Sequence, residues 1–347
     1  MQSNEIQTRP CPNCPICGSV GDPLYRGLTD QIFNAPGAWD MRKCHNSDCG
    51  TLWLNPMPLE AELPKLYAGY YTHQSFPSQS SNNPWQAFLG QVRAAHLHAR
   101  YGYEPHPASW IINGLLDWIA YLHPAWKENL EASVFYLPAK RGGRLLEVGC
   151  GNGTTLQSME QKGWSVTGLD FDEEAVKNAR SKGLDVRHGQ LSAQEFADES
   201  FDAVVMSHVI EHVASPGILL GECRRVLKKG GVLVALTPNA DSRGHRHYSR
   251  NWRGLEPPRH LQVFTARSLA SMAGGAGYDT VESFTAMQGA VYIWYASGEM
   301  TRSGRHSMNA KVALHRRILL QITGLIIGWL HALIPGHGEV TVIVCRK

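Results

Sequence analysis

The sequence predicts an α/β protein with a doubly wound, seven-stranded, mostly parallel sheet, preceded by a small cysteine-rich module and a helical region. Three observations support this fold class. Short apolar runs alternate with amphipathic stretches from residue 142 to 287, which is typical of consecutive βαβ units. Five of the eight cysteines precede residue 50. Residues 76–141, between these two regions, have helical spacing and several tryptophans.

The alternation assigns the elements in order along the chain. RLLEVG (144–149) is a short apolar run that ends in glycine, as a buried parallel strand does. The same reasoning predicts strands at 164–170, 184–189, 201–207 and 232–238, and helices at 154–162, 173–183 and 215–231. Two last strands, 276–285 and 339–347, are expected to pair as the antiparallel edge, separated by a helical insertion at about 288–337.

The domain organisation follows from these assignments. We divide the chain into the cysteine-rich module (1–75), a helical cap region (76–141) and the sheet domain (142–347), with the Ser/Asn/Pro-rich run 75–84 as a linker. With 347 residues, 43% of them apolar, the chain can bury a large core, which excludes disorder for most of it. The net charge of +3 does not favour a dedicated nucleic-acid-binding protein. The N-terminus has no apolar secretory segment, so we expect a cytoplasmic protein.

The cysteine-rich module contains two cysteine pairs, each followed by glycine and separated by 26 residues: Cys14 with Cys17, and Cys44 with Cys49. Four thiolates from two such turns are the usual ligands of structural zinc. Without an export signal, clustered cysteines indicate a metal site rather than disulfides. The spacing therefore predicts a structural zinc ion, and it leaves open whether Cys11 or His45 replaces one of the four ligands.

A glycine-rich turn follows the first strand of the sheet domain. Gly149, Gly151 and Gly153 allow a tight turn and a close approach of the backbone to a ligand. A dinucleotide fingerprint would need glycine at 154, where threonine stands. The acidic Glu147, two residues before the turn, would suit a cationic amino-acid end better than a pyrophosphate. S-adenosylmethionine carries both an ammonium and a sulfonium group, and it fits this pattern.

The sheet domain resembles the class I S-adenosylmethionine-dependent methyltransferases, a Rossmann-like family, over about residues 142–287. The resemblance rests on motifs in the right order: LLEVGCGNGTTL (145–156), GLDFDEEAVKNAR (168–180), FDAVVMSHVIEHVASP (201–216) and RRVLKKGGVLVALTPN (224–239). NWRGLEPPRHLQVFT (251–265) resembles a segment of a bacterial subset that includes relatives of the ubiquinone-pathway O-methyltransferases. The cysteine-rich module is similar to zinc-binding domains joined to some sugar methyltransferases.

The resemblance implies roles for eight cofactor-binding residues. The three glycines of the turn would line the methionine part, and Glu147 would hold its ammonium. Asp170 would bind the ribose hydroxyls, Phe171 would lie against adenine, and Gln190 would supply a weak adenine contact in place of the family's acidic residue. Ser207 and His208, at the end of the fourth strand, would face the methyl group.

Three histidines are candidates for the general base that a hydroxyl acceptor needs: His208, His212 and His260. The pentad 208–212 also spells H-x-x-E-H, a metalloprotease pattern that requires a continuous helix. A milder alternative is that Glu211 and His212 help to bind a divalent cation that positions the acceptor. Arg253 and Arg259 could hold an anionic acceptor or could pair with the nearby Glu256.

The expected acceptor is a small or lipid-linked molecule. A ribosomal-RNA methyltransferase and a non-enzymatic zinc-bearing scaffold are the alternatives. In Ile318–Ile334, 12 of 17 residues are apolar, and three interpretations stay open: a buried helix or homodimer contact, an interfacial helix that brings 316–335 to a membrane, or a lid over the acceptor pocket. In the cap region, the apolar positions at Ile111, Ile112, Leu115, Leu116 and Ile119 are expected to be core.

Overall fold

The computed structural model describes residues 6–67, 83–104, 109–307 and 313–347. Residues 75–82 of the expected linker lie outside them. The strands are β1 (Thr8–Arg9), β2 (Gly21–Leu28), β3 (Trp39–Cys44), β4 (Leu52–Leu54), β5 (Met57–Pro58), β6 (Arg144–Val148), β7 (Ser165–Asp170), β8 (Val186–His188), β9 (Phe201–Ser207), β10 (Leu227–Pro238), β11 (Gln262–Val263), β12 (Thr280–Ala286) and β13 (Val340–Arg346).

The α-helices are α1 (Pro84–Tyr101), α2 (Trp110–Tyr121), α3 (Pro124–Ala132), α4 (Thr154–Gln161), α5 (Glu173–Ser181), α6 (Pro216–Val226), α7 (Arg243–Tyr248), α8 (Ala266–Gly275), α9 (Ala290–Ser303) and α10 (Leu314–Leu333). The central sheet has the order β12-β13-β10-β9-β6-β7-β8. The four pairs from β10 through β9, β6 and β7 to β8 are parallel. β13 pairs antiparallel with both β10 and β12. The predicted fold class, including the antiparallel edge, is confirmed.

The central sheet is buried on both faces. In β6, Leu145 packs into one apolar layer and Leu146 into the other, and Val204 and Val205 of β9 divide in the same way. Successive strand residues point to opposite faces, so a strand covered on both sides reads as a continuous apolar run. This is why the strands can be recognised in the sequence.

The helix predicted at 215–231 is wrong in its second half. α6 ends at Val226, and the following residues belong to β10. Leu227 is fully buried and pairs with Phe201 before a bulge that extends to Val232. Gly230, with φ 73°, lies in this bulge. Strand pairing with β9 therefore ends the helix at Val226, although the basic residues that follow were expected to form its last turn.

The cysteine-rich module docks on the sheet domain. Its strands β2, β3 and β4 form a four-stranded sheet whose last strand is β11, from residues 262–263. Trp53 in β4 is fully buried, as is Trp252 in the segment before β11. The module therefore shares a sheet with the segment that was expected to present the acceptor.

The cap helices carry an unexpected exposed apolar surface. The expectation that Ile111, Ile112 and Leu115 are core is wrong, because 50–66% of each side chain is exposed. Of the five positions in α2, Leu116 is buried and Ile119 is half-buried. α10 likewise buries Ile327 but exposes Leu319, Leu333 and other apolar side chains. No helix in the described part of the chain is long and apolar enough to cross a membrane.

Candidate cofactor and acceptor site

The glycine-rich turn joins the end of β6 to the start of α4. Gly149, Gly151 and Gly153 have φ of 72°, 52° and 76°, a region that side chains disfavour. A Cβ at Gly149 would lie 2.3 Å from Val209 Cγ2, and one at Gly153 would lie 2.5 Å from Leu184 Cδ1. A Cβ at Gly151 would meet no described atom within 4 Å. Two of the glycines therefore allow close packing, and the middle one leaves open space over the backbone.

Glu147 lies beneath this turn with its carboxylate buried. Its Oε2 is buried and has no hydrogen-bond partner among the residues that the structure describes. Burial, and then the charge of Asp170, raises the pKa of Glu147 to about 8. A buried polar atom without a partner is rare in a folded protein and costly. The Glu147 carboxylate therefore lacks a hydrogen-bond donor or a positive charge beside Oε2.

Asp170 ends β7 and is tied to the turn. Its Oδ2 accepts a hydrogen bond from the Gly151 N–H at 2.7 Å, and its Oδ1 accepts one from the Asp172 N–H at 2.9 Å. Burial raises the pKa of Asp170. Each carboxylate oxygen can accept a further bond, so Asp170 can hold the turn and also receive hydroxyl donors.

The adenine-side residues predicted from the sequence contact the cysteine-rich module. Phe171 is half exposed, and its ring lies edge-on to that of Tyr67 with centroids 5.0 Å apart. Gln190 donates a hydrogen bond to Glu60 at 3.1 Å. Glu60 and Tyr67 bound a short 3₁₀ helix of the module. Sequence reasoning missed both residues, and no local pattern marks them.

The end of β9 presents Ser207 and His208. Ser207 is half-buried. His208 has φ 55°, and its N–H donates to Leu236 O at 2.8 Å. A non-glycine residue in this region stores about 1–3 kcal/mol of strain, which is typical of functional sites. Its side chain is 42% exposed, and its Nδ1 lies 3.3 Å from Oε1 of Glu211. Of the three candidate histidines, His208 is the most accessible.

His212 and His260 lie together behind His208. Their ring centroids are 4.7 Å apart. His260 is buried, and burial, followed by the neighbouring His212, lowers its pKa to about 4. His212 is half-buried, and its Nδ1 lies 2.9 Å from the Tyr67 hydroxyl. The structure thus brings all three histidines together, and His260 is the most deeply buried of the three.

The pentad 208–212 does not form the continuous helix of a metalloprotease. Residues Ile210–His212 form a single 3₁₀ turn, and α6 begins only at Pro216. His208 precedes the turn in a left-handed conformation. The metalloprotease interpretation is therefore wrong.

Arg253 and Arg259 belong to a buried ion cluster. Arg259 donates to Asp30 at 2.9 Å and to Glu256 at 2.8 Å, and Arg253 also pairs with Glu256. The Arg259 side chain is 0% exposed. The pairing alternative is therefore correct, and an anionic acceptor has no access to Arg259. Asp30 could not be recognised from the sequence.

The four predicted metal-ligand cysteines converge. The sulfur atoms of Cys14, Cys17, Cys44 and Cys49 lie within 4.8 Å of one another. Two of the separations are 3.7 Å, between Cys14 and Cys49, and 3.4 Å, between Cys17 and Cys44. Tetrahedral zinc with bonds of about 2.3 Å holds its sulfurs about 3.8 Å apart. The donor set fits zinc.

The two alternative ligands lie outside this cluster. The Cys11 thiol contacts the carbonyl oxygen of Asn13 at 3.6 Å, and His45 pairs with Asp22. Gly18 and Gly50, which follow the two cysteine pairs, have φ of 76° and 60°, so each pair ends in a left-handed turn.

Comparison with known proteins agrees with this site. Residues 118–283 match the family model described as "Methyltransferase domain". A relative from Mycolicibacterium smegmatis, named "Probable S-adenosylmethionine-dependent methyltransferase", is 32% identical over 168 residues, which cover 48% of this chain and 63% of that protein. The ubiquinone biosynthesis O-methyltransferase of Caulobacter vibrioides is 31% identical over 157 residues, covering 39% and 62%. The chain thus spans less than two thirds of the length of these curated relatives.

Among solved structures, phosphoethanolamine N-methyltransferase 2 of Haemonchus contortus, in complex with S-adenosyl-L-methionine, aligns with a TM-score of 0.46 and 16% identity. The alignment covers 85% of this chain and 62% of that one.

Proposed function

We propose that the protein is an S-adenosylmethionine-dependent methyltransferase that acts on a small-molecule or lipid-linked acceptor, and the match of residues 118–283 to a methyltransferase-domain family model supports this proposal. S-adenosylmethionine supplies a methyl group on a sulfonium centre, which is already a good electrophile. The protein then has three tasks, which are to bind the donor, to align the acceptor and to remove a proton from it.

The buried, unpartnered Oε2 of Glu147 is the observation that carries this proposal. An ammonium group placed there would supply both the missing donor and the missing positive charge. Gly151 leaves open space over the backbone of the turn, and Asp170 offers acceptors for hydroxyl groups. The residues of the site therefore fit a cationic amino-acid nucleoside, and a simple tight turn would not need the carboxylate.

We assign acceptor deprotonation to His208. For a hydroxyl acceptor, the imidazole takes the proton on Nε2, while Nδ1 faces the buried carboxylate of Glu211. A positioned base of this kind contributes about 10²–10⁴-fold to a rate. His212 and His260 are more buried than His208. We expect them to orient the loop that follows β9 rather than to receive the proton.

We assign a structural zinc ion to Cys14, Cys17, Cys44 and Cys49. A closed site of four thiolates leaves no open position for a substrate, so the ion stabilises the module rather than taking part in the reaction. The module in turn places Tyr67 and Glu60 next to Phe171 and Gln190. Through these contacts the zinc supports the cofactor site.

The lipid-linked part of the proposal is supported by the exposed apolar faces of α2 and α10. Both helices contact α3. Trp110, Trp118 and Leu319 are 62–83% exposed. The sequence of α10 contains no acidic residue and has Arg316 and Arg317 in its first turn. An apolar face with basic residues beside it suits the surface of an anionic membrane.

Transfer from a labelled donor tests the proposed function. The purified protein is incubated with methyl-deuterated S-adenosylmethionine and a total metabolite and lipid extract, and the products are examined by mass spectrometry. We expect S-adenosylhomocysteine to form together with an acceptor that has gained the labelled methyl group. Absence of both products with folded protein would contradict the proposal. A His208→Asn variant should form both more slowly.

A further inference from the structure

We infer that Glu211, His212 and His260 form a second metal site, distinct from the four cysteines, that binds a divalent transition-metal ion beside the end of β9. Each of the three residues offers one ligand atom, and these atoms lie within 4.8 Å of one another. The role of the ion in positioning the acceptor rests on the proposed function. The binding of the ion does not depend on that function.

The tautomers of the two histidines are fixed in the form that a metal requires. The Nδ1 of His260 lies 2.8 Å from the carbonyl oxygen of Gly254, and the Nδ1 of His212 lies 3.0 Å from that of Arg259. A carbonyl oxygen can only accept, so both Nδ1 atoms carry the hydrogen. The Nε2 atom of each ring then holds the free lone pair. Metal-binding histidines commonly hold their second nitrogen in this way.

Glu211 supplies the negative charge. Its side chain is 0% exposed, and Oε2 accepts a hydrogen bond from the Thr237 hydroxyl at 2.9 Å. The other oxygen, Oε1, is buried and has no well-formed hydrogen bond within the described part of the chain, although Nδ1 of His208 lies 3.3 Å from it. Oε1 lies 4.0 Å from Nε2 of His260. This distance is too long for a hydrogen bond, but two ligands of one ion, each about 2.1 Å from it, lie about 3–4 Å apart.

A structural role alone does not explain this arrangement. Burying a carboxylate oxygen whose nearest donor is a partly exposed imidazole at 3.3 Å is costly, and a core built only for stability would pair this oxygen fully or remove it. Two imidazole nitrogens and one carboxylate oxygen favour Zn²⁺, Mn²⁺, Fe²⁺ or Co²⁺ over Mg²⁺, which prefers an all-oxygen environment.

The place of the site in the fold indicates its use. His208 and Ser207, which face the expected methyl position, lie within four residues of Glu211 in the chain. An ion here would bind an acceptor hydroxyl and lower its pKa, so that the hydroxyl proton passes more readily to His208. This favours an acceptor that offers an oxygen ligand, such as a phenol, a catechol or a sugar hydroxyl.

Manganese binding to the zinc-loaded protein tests the inference. Mn²⁺ prefers nitrogen and oxygen ligands, so it should leave the four thiolates to zinc. We expect electron paramagnetic resonance to show one Mn²⁺ per chain. Glu211→Gln and His212→Asn should each weaken Mn²⁺ binding at least about 10-fold, because even the loss of a residue that supports a metal ligand typically costs this much affinity. His98→Asn, on α1, is the matched control and should bind Mn²⁺ as the wild type does.

His212 is only half-buried, so His212→Asn should fold even if Glu211→Gln does not, and circular dichroism checks both. Unchanged Mn²⁺ affinity in folded His212→Asn, or no Mn²⁺ binding by the wild type at millimolar concentration, would overturn the inference. Binding of S-adenosylhomocysteine after chelation of the weakly held metal separates the two proposals, because the cofactor site shares no ligand with this one.

Discussion

Arg259 Nη2 lies 2.9 Å from Asp30 Oδ2, and the two side chains are 0% and 1% exposed. The residues are 229 positions apart in the chain. Their ion pair joins the cysteine-rich module to the loop that carries His260. Together with the strand pairing of β4 and β11, it makes the module part of the site.

Asp30→Asn should destabilise the protein by about 3 kcal/mol, because the buried Arg259 loses a charged partner. Asp22 pairs with His45 on the surface, and the Asp22 side chain is 71% exposed. Asp22→Asn should therefore cost less than about 1 kcal/mol. Chemical denaturation measures both values. Equal effects of the two variants would show that the buried pair does not hold the module in place.

Cys17→Ser should release the zinc ion and lower the melting temperature, because a site with three thiolates binds zinc more weakly and metal binding contributes directly to folding. Cys11→Ser is the matched control, since Cys11 lies outside the four-cysteine cluster. Elemental analysis should give about one zinc per chain for the wild type and for Cys11→Ser. Zinc retained at full occupancy in Cys17→Ser would contradict the assignment.

Glu147→Gln should stabilise the unliganded protein while weakening cofactor binding. The folded-state pKa of about 8 exceeds the ordinary value of 4.5, so the folded protein binds an extra proton between these pH values. Stability therefore falls as pH rises from 4.5 to 8, by about 1.4 kcal/mol per unit. The neutral amide avoids this loss.

Melting at several pH values checks this prediction. The advantage of Glu147→Gln over the wild type should grow from pH 6 to pH 8 and change little above that. A constant difference, or a destabilised variant at pH 8, would show that Glu147 already has a partner in the unliganded protein.

Leu319→Glu should weaken binding to anionic phospholipid vesicles at least about 5-fold, because burying one leucine contributes about 1.5–3 kcal/mol. Ile218→Glu is the matched control. Ile218 is 66% exposed and Leu319 is 62% exposed, but Ile218 lies on α6. Cosedimentation measures both. A wild type that fails to sediment with vesicles, or a dimer that Leu319→Glu dissociates, would favour the homodimer alternative.

The sequence was sufficient where the structure follows local rules. Residues 144–170 form a strand, a glycine turn, a helix and a second strand as predicted, because each element depends on neighbours along the chain. The four cysteines predicted to bind zinc converge as their spacing indicates.

Contacts between distant segments could not be predicted. Tyr67 reaches Phe171 and His212, and β11 joins a sheet whose other strands precede residue 55, yet neither has a periodic pattern. The exposure of α2 could not be predicted either, because apolar spacing shows that an apolar face exists but not what covers it.

Calorimetric titration of the purified, folded protein with S-adenosylhomocysteine tests the central claim most directly. The account predicts saturable binding of one molecule per chain, with Glu147→Ala binding at least about 10-fold more weakly, since a buried charge-assisted contact contributes about 1.5–3 kcal/mol. Saturable binding that Glu147→Ala leaves unchanged, or no heat of binding in the wild type, would contradict it.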